Sequence, residues 1–133
     1  MTEDQVVYRE KPIFSEGEID KKQWHLKRIN TIDLPLKDSV ERRITPSANS
    51  HVIIIDSGID GNHDELKNNV APAEQHKSFV KSDSCCKSDS DPLCDCSEHG
   101  THCAGLVASV TAGYNLSAKL HSIKVFDQAG SSS

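Results

Sequence analysis

The sequence predicts an α/β fold, a parallel sheet with a right-handed βαβ crossover and a Cys-rich loop insertion. Three stretches carry that expectation. Residues 52–55, Val-Ile-Ile-Ile, form a continuous β-branched run bounded by Asn49-Ser50 and Ser57-Gly58, the pattern of a strand covered on both faces. From His99 the spacing turns helical, with Cys103, Val107 and Val110 at i, i+4, i+7 and Ala104 and Ala108 at i, i+4. Residues 120–126, LHSIKVF, then read as a second strand. Strand, loop, helix, strand in that order is a βαβ unit, and the handedness of such connections makes the crossover right-handed.

The remaining elements follow in chain order. Residues 1–22 are polar and mixed in charge, broken by Pro12 and Gly17, and read as an irregular arm with a short strand at 6–8. Residues 23–50 carry scattered apolar anchors, Trp24, Leu26, Ile29, Leu34 and Leu36, that fit neither period. They predict a segment draped over a core, with one helical turn at 24–29. Residues 62–69, NHDELKNN, offer a short helix with Asn62 as cap and Glu65 three residues on. Residues 81–98, KSDSCCKSDSDPLCDCSE, have almost no apolar content, and loops of that length are uncommon unless functional or stapled. Gly113 is placed to end the helix, and residues 127–130, DQAG, are turn-like.

Composition narrows the function classes. The 133 residues suffice for one small domain, and 35% apolar and 5% aromatic content are lean for a self-sufficient globule. A net charge of −5 gives no electrostatic reason to bind nucleic acid or an anionic membrane. No apolar run approaches the roughly 20 residues of a membrane span. The opening MTEDQVVYREKPIF has no basic region followed by an apolar one, so no signal peptide is expected and the compartment stays open.

Cys85, Cys86, Cys94 and Cys96 cluster in the 81–98 loop, and Cys103 stands apart. Three readings remain for the cluster: disulfides joining Cys85 and Cys86 to Cys94 and Cys96, free thiols, or a zinc site recruiting a histidine. Neither CC nor CxC has the CxxC spacing usual in structural zinc sites, and disulfides need an oxidising compartment.

The chemistry centres on Asp56 and His99. A carboxylate at the C-terminal end of a buried parallel strand sits where open α/β sheets place their sites. Ser57-Gly58 lets the chain turn sharply there and frees N–H groups that can hold the carboxylate ionised. Taken alone, Asp56 is an ordinary turn aspartate. His99 opens the helix, so its ring can point back toward the strand end, while Gly100, Ala104 and Gly105 let the helix pack closely. Thr101 and His102 are expected to brace that turn. A carboxylate bonded to the imidazole Nδ1–H fixes the tautomer and stabilises the imidazolium, the orienting pair of a nucleophilic site.

"VIIIDSGIDGNHDEL" and "HGTHCAG" together resemble the aspartate and histidine motifs of the subtilisin-like serine proteases, or subtilases, whose triad order is Asp, His, Ser. The cysteine in HGTHCAG and the distance to "IKVFDQAGSSS" resemble the proteinase K-like branch, and "WHLKRI" is similar to the start of its catalytic domain. The resemblance covers residues 23–133, an incomplete catalytic domain with a partial subtilisin-like fold. It implies Asp56 as triad aspartate, His99 as general base, Cys103 as a buried thiol beneath the histidine and His102 as a structural brace. Residues Gly130, Ser131 and Ser132 would begin the strand that pairs with substrate backbone.

Departures accompany the likeness. Glu98 replaces the family's glycine; a carboxylate there either raises the His99 pKa or simply points to water. The 81–98 loop is longer than the family pattern. The 133 residues hold neither the family's oxyanion asparagine nor its GTSM-type serine motif, and no inhibitory propeptide is expected before the domain. Ser131, Ser132 and Ser133 stand in the wrong context to replace the nucleophile. The expectation is a serine endopeptidase acting on polypeptides, represented here without its nucleophile and inactive by itself; the alternative is a non-catalytic remnant acting as a protein-binding decoy or regulator. The uncovered strands predict a partly ordered or aggregation-prone chain unless a completing chain or fragment joins it. No cofactor is required for the chemistry and no metal site is assigned. Structural calcium occurs in the family, with Glu65 at the place of one calcium-binding aspartate, but the rest of that site is not recognisable. The family is mostly extracellular or vacuolar.

Overall fold

The computed structural model describes residues 25–26, 50–88 and 90–132. The backbone divides into two compact units, Met1–Thr45 and Pro46–Ser133. In the first, His25 and Leu26 are helical. The expected arm at 1–22 and the anchors Trp24, Ile29, Leu34 and Leu36 lie outside the described residues.

The second unit contains β1 (His51–Asp56), a 3-10 turn (Ala73–Gln75), β2 (Lys77–Ser78), α1 (His99–Ala108) and β3 (Lys119–Lys124). All strands run parallel in the order β1-β3-β2. The register sets Val52 against Leu120, Ile54 against Ser122 and Asp56 against Lys124. This is the predicted α/β architecture, with α1 entering between the paired strands in sequence.

One sheet face makes the core. Ile59, Leu66, Ala104, Ala108, Ala118 and Leu120 are buried together, with Val52, Ile54, Val70 and Val107 packed against them. The buried stripe of α1 is Gly100, Ala104 and Ala108, so of the two lines in the sequence the Ala104–Ala108 one is buried, not the one through Cys103 and Val110. Small residues on that stripe let the helix backbone approach the sheet, so close packing rather than large side chains fills the interface.

The other face corrects the expectation of a strand covered on both sides. Ile53 and Ile55 are 58% and 62% exposed, because alternate β1 side chains point away from α1. The β3 strand ends at Lys124, short of the predicted Phe126, because the N–H groups of Val125 and Phe126 both donate to the Asp56 carbonyl. The helix ends at Ala108, five residues before Gly113, and the backbone turns at Ser109.

Residues 62–69 form turns instead of a helix. Asn62 caps no helix; its N–H donates to Asp60 Oδ1 at 3.0 Å in a side-chain turn. His63 Nδ1 accepts from the Glu65 N–H at 3.2 Å, competing with helical pairing. Asn69 then directs its side-chain amide to the Leu116 and Ala118 carbonyls at 2.7 and 2.9 Å, and Val70 bridges Leu120. The chain is pulled into the sheet before a helix can propagate. The two-residue β2 was not predicted, since Lys77-Ser78 has no apolar alternation; its pairing with β3 is imposed from outside.

The 81–98 loop is stapled. Disulfides join Cys85 to Cys96 and Cys86 to Cys94, and Cys103 is free. This is the disulfide reading of the cluster; the four sulfurs lie within 4.8 Å of one another, so as thiolates the same residues could hold a metal ion. The loop also docks through charge: Lys124 Nζ, fully buried, donates to Asp83 Oδ2 at 2.9 Å and to the Cys94 carbonyl at 2.8 Å. Among the described residues no helix is long and apolar enough to cross a membrane.

Candidate active site

The turn after β1 builds one half of the site. Ser57 N–H donates to Asp56 Oδ1 at 2.7 Å. Gly58 has φ +115, a conformation that side chains other than glycine's rarely adopt, and a Cβ there would run into the Cys94 carbonyl. Backbone anchoring of the Asp56 carbonyl by Val125 and Phe126 fixes where its carboxylate emerges.

The first turn of α1 builds the other half. Glu98 precedes it in a left-handed conformation, φ 65, and its side chain makes no cap. The unpaired N–H groups of a helix start still need acceptors. Gly100 N–H donates to Ser57 Oγ at 3.0 Å, and Thr101 N–H to Asp95 Oδ2 at 2.8 Å. Thr101 Oγ1 also donates to Asp95 Oδ2 at 2.6 Å and accepts from the Asp60 N–H at 2.9 Å. Gly100 is buried in this seam; a Cβ on it would overlap the Gly58 carbonyl and lie 3.2 Å from Asp56 Cβ. Thr101 thus bonds on both sides of the turn. The His102 ring is exposed, and its N–H donates to the Glu98 carbonyl at 3.0 Å.

These contacts bring the sequence-predicted pair together across 43 positions. His99 Nδ1 lies 2.9 Å from both Asp56 Oδ1 and Oδ2. The His99 side chain is 68% exposed and that of Asp56 16%. Burial pushes the Asp56 carboxyl up, but the His99 hydrogen bond, the Ser57 N–H and the His99 charge outweigh it and hold it below its ordinary 3.8. The Asp56 hydrogen bond and charge raise His99 above its ordinary 6.5, with a further contribution from Asp95. Asp56 and, less, Asp95 cause the shift, not Glu98.

Cys103 is half-buried, with Sγ 3.9 Å from His99 Nδ1. Burial, then the charges of Asp56 and Asp95, push its thiol up. Ligand atoms of Asp56, His99 and Cys103 lie within 4.8 Å of one another. Glu65 is tied to the segment after α1: Ser109 Oγ, Thr111 N–H and Thr111 Oγ1 donate to its Oε2 at 2.9, 2.9 and 3.0 Å. Gly130, Ser131 and Ser132 form no strand. The chain there wraps onto Asp127, whose Oδ1 accepts from the Ala129 and Ser131 N–H groups at 2.9 and 2.8 Å.

Asp95 escaped the sequence reading. Its Oδ1 accepts from Ser57 Oγ at 2.8 Å while its Oδ2 holds Thr101, so one carboxylate joins the Asp56 turn to the His99 helix. The available signal was an acid standing four residues before His99 between two cysteines.

The profile of the subtilase family, Peptidase S8, matches residues 47–133. The chain is 38% identical over 112 residues to a cuticle-degrading protease of Metarhizium anisopliae, covering 83% of this chain and 25% of that protein. It is 39% identical over 89 residues to subtilisin E of Bacillus subtilis, covering 63% of this chain and 20% of that protein. A crystal structure of a cold-adapted subtilisin-like serine proteinase matches the fold with a TM-score of 0.58 at 24% identity, covering 83% of this chain and 36% of that one. The chain spans about a quarter of the length of the curated relatives it matches. With the matched profile over most of its length, and an aspartate at a strand exit meeting a histidine at a helix start, the chain belongs to the subtilase family.

Proposed function

We propose that this chain carries the Asp–His half of a serine endopeptidase site that cleaves polypeptides. The observation that supports this most is the His99 Nδ1 contact with both Asp56 oxygens at 2.9 Å, on a ring that is otherwise open to solvent. With Nδ1–H held by Asp56, the other ring nitrogen, Nε2, is the acceptor tautomer. It takes the proton from a serine hydroxyl as that oxygen attacks the peptide carbonyl. The resulting imidazolium is stabilised by Asp56 and returns the proton to the leaving amine. No cofactor enters these steps.

The serine and the oxyanion donors that the family likeness implies are not among these 133 residues. The 133-residue chain alone is therefore expected to leave a peptide substrate uncut. In a longer protein that supplies the serine segment, Asp56→Asn is expected to lower kcat on the order of 10⁴-fold. An unchanged rate, or turnover by the short chain that His99→Ala abolishes, overturns this reading.

The exposed Ile53 and Ile55 face favours a completing polypeptide segment lying over the sheet. It also favours a second reading, a non-catalytic subtilase remnant that binds other proteins. Tight binding of the 133-residue chain to a full-length relative, with no peptidase activity in any longer form, would select the second. The two loop disulfides support a route through an oxidising compartment.

A further inference from the structure

We propose that Asp95 is a positioning residue for the Asp56–His99 pair, and that the Cys85–Cys96 and Cys86–Cys94 disulfides lock it in place. The inference rests on reading Asp56 and His99 as the orienting pair, and it concerns how their geometry is held.

The contacts form a closed circuit. Ser57 gives its N–H to Asp56 Oδ1 and its hydroxyl to Asp95 Oδ1, and its Oγ accepts the Gly100 N–H. Asp95 Oδ1 also accepts the Ser97 and Glu98 N–H groups at 3.2 and 3.0 Å, and Oδ2 accepts both Thr101 donors. This one carboxylate bonds to both the Asp56 turn, through Ser57, and the first turn of α1, through Thr101. It does the work of an N-cap from outside the helix, where Glu98 cannot because of its left-handed backbone. A charged acceptor serving several N–H and O–H donors is stronger than a neutral one, so the geometry of His99 depends on where Asp95 stands.

Asp95 would not stay there unaided, since its loop has no regular secondary structure. Both of its chain neighbours are cross-linked: Cys94 to Cys86 and Cys96 to Cys85. The preceding residues are stitched to the Asp56 turn and to β3. The Pro92 carbonyl accepts from the Ile59 N–H at 3.2 Å and from Ser122 Oγ at 2.7 Å, the Leu93 carbonyl from the Gly61 N–H at 3.3 Å, and the Cys94 carbonyl from buried Lys124. Covalent ties on both sides remove the backbone freedom that would otherwise oppose holding the carboxylate.

The test is nuclear magnetic resonance on the 133-residue chain, following the His99 ring through a pH titration and amide exchange at Glu98 and Thr101. The groups bearing on His99 are Asp56, Asp95 and Cys103. Asp95→Asn keeps the shape but removes the charge. It is expected to move the His99 midpoint down toward the ordinary histidine value and to speed Glu98 and Thr101 exchange at least tenfold. Protection of the β3 amides of Leu120 and Ser122 is expected to persist. The double variant Cys85→Ser/Cys96→Ser leaves Asp95 intact and is expected to speed the same amides. Unchanged His99 midpoint and Thr101 exchange in Asp95→Asn overturn the inference. So does equal loss of protection in β3, because Asp95 would then hold the fold and not the pair. So does a double variant with no effect at Thr101. Failure of the protease reading would appear elsewhere, as missing turnover in a longer protein with these local measurements intact.

Discussion

At the scale of the residue, His99 is held by a carboxylate that is mostly shielded while the imidazole itself faces solvent. The pKa directions give a pH window with a definite sign. His99 is raised, so its stabilising contribution is whole below 6.5 and fades as pH rises through the elevated value. Asp56 is lowered, so its contribution is whole above 3.8 and fades as pH falls through the depressed value. Asp56→Asn is expected to lower the His99 midpoint in a ring-proton titration; a midpoint that stays put would show the contact is not formed in solution. As a general base the same His99 must be neutral, so the acid limb of any peptidase activity is expected above 6.5. Gly100→Ala is a second test. Its methyl has no room between the Gly58 carbonyl and Asp56, and a cost of about 1–3 kcal/mol is expected in urea unfolding. Asp56 and His99 were legible because each lies at an element boundary in a long motif. Asp95 was not, because its partners Ser57 and Thr101 meet it only after the loop closes.

Among the elements, β1, α1 and β3 were legible from β-branched runs and small-residue helical spacing. Segments governed by contacts from elsewhere were not. Residues 62–69 have helical composition yet yield to Asn69 and Val70 joining the sheet, and β2 exists only because β3 offers an edge. The cystine loop carries two tests. Thiol titration of the unreduced denatured chain is expected to find Cys103 alone, and all five cysteines after reduction. Several reactive thiols before reduction would refute the pairing. Lys124→Met leaves Asp83 buried without its cation, and breaking a buried pair on one side costs about 3–5 kcal/mol. Adding Asp83→Leu is expected to recover much of that loss in the same unfolding measurement; no recovery would mean Lys124 acts chiefly through the Cys94 carbonyl.

Across the whole second unit, the sheet buries one face and presents the other. Ile53 and Ile55 leave apolar area in water, a side chain of this size being worth about 1.5–3 kcal/mol when fully buried. The double variant Ile53→Thr/Ile55→Thr is expected to reduce concentration-dependent light scattering of the 133-residue chain, with β1–β3 pairing retained. Scattering that does not change would place the association surface elsewhere. The sequence by itself determined the strand–helix–strand order, the family motifs and the two residues, Asp56 and His99, that meet at 2.9 Å, because each is written in local periodicity or in contiguous chain. Only the tertiary structure decided which face of β1 is covered, how the cysteines pair, and that Asp95 joins the two halves of the site. Those outcomes depend on groups far apart in the chain meeting in space, and local pattern carries no record of such meetings.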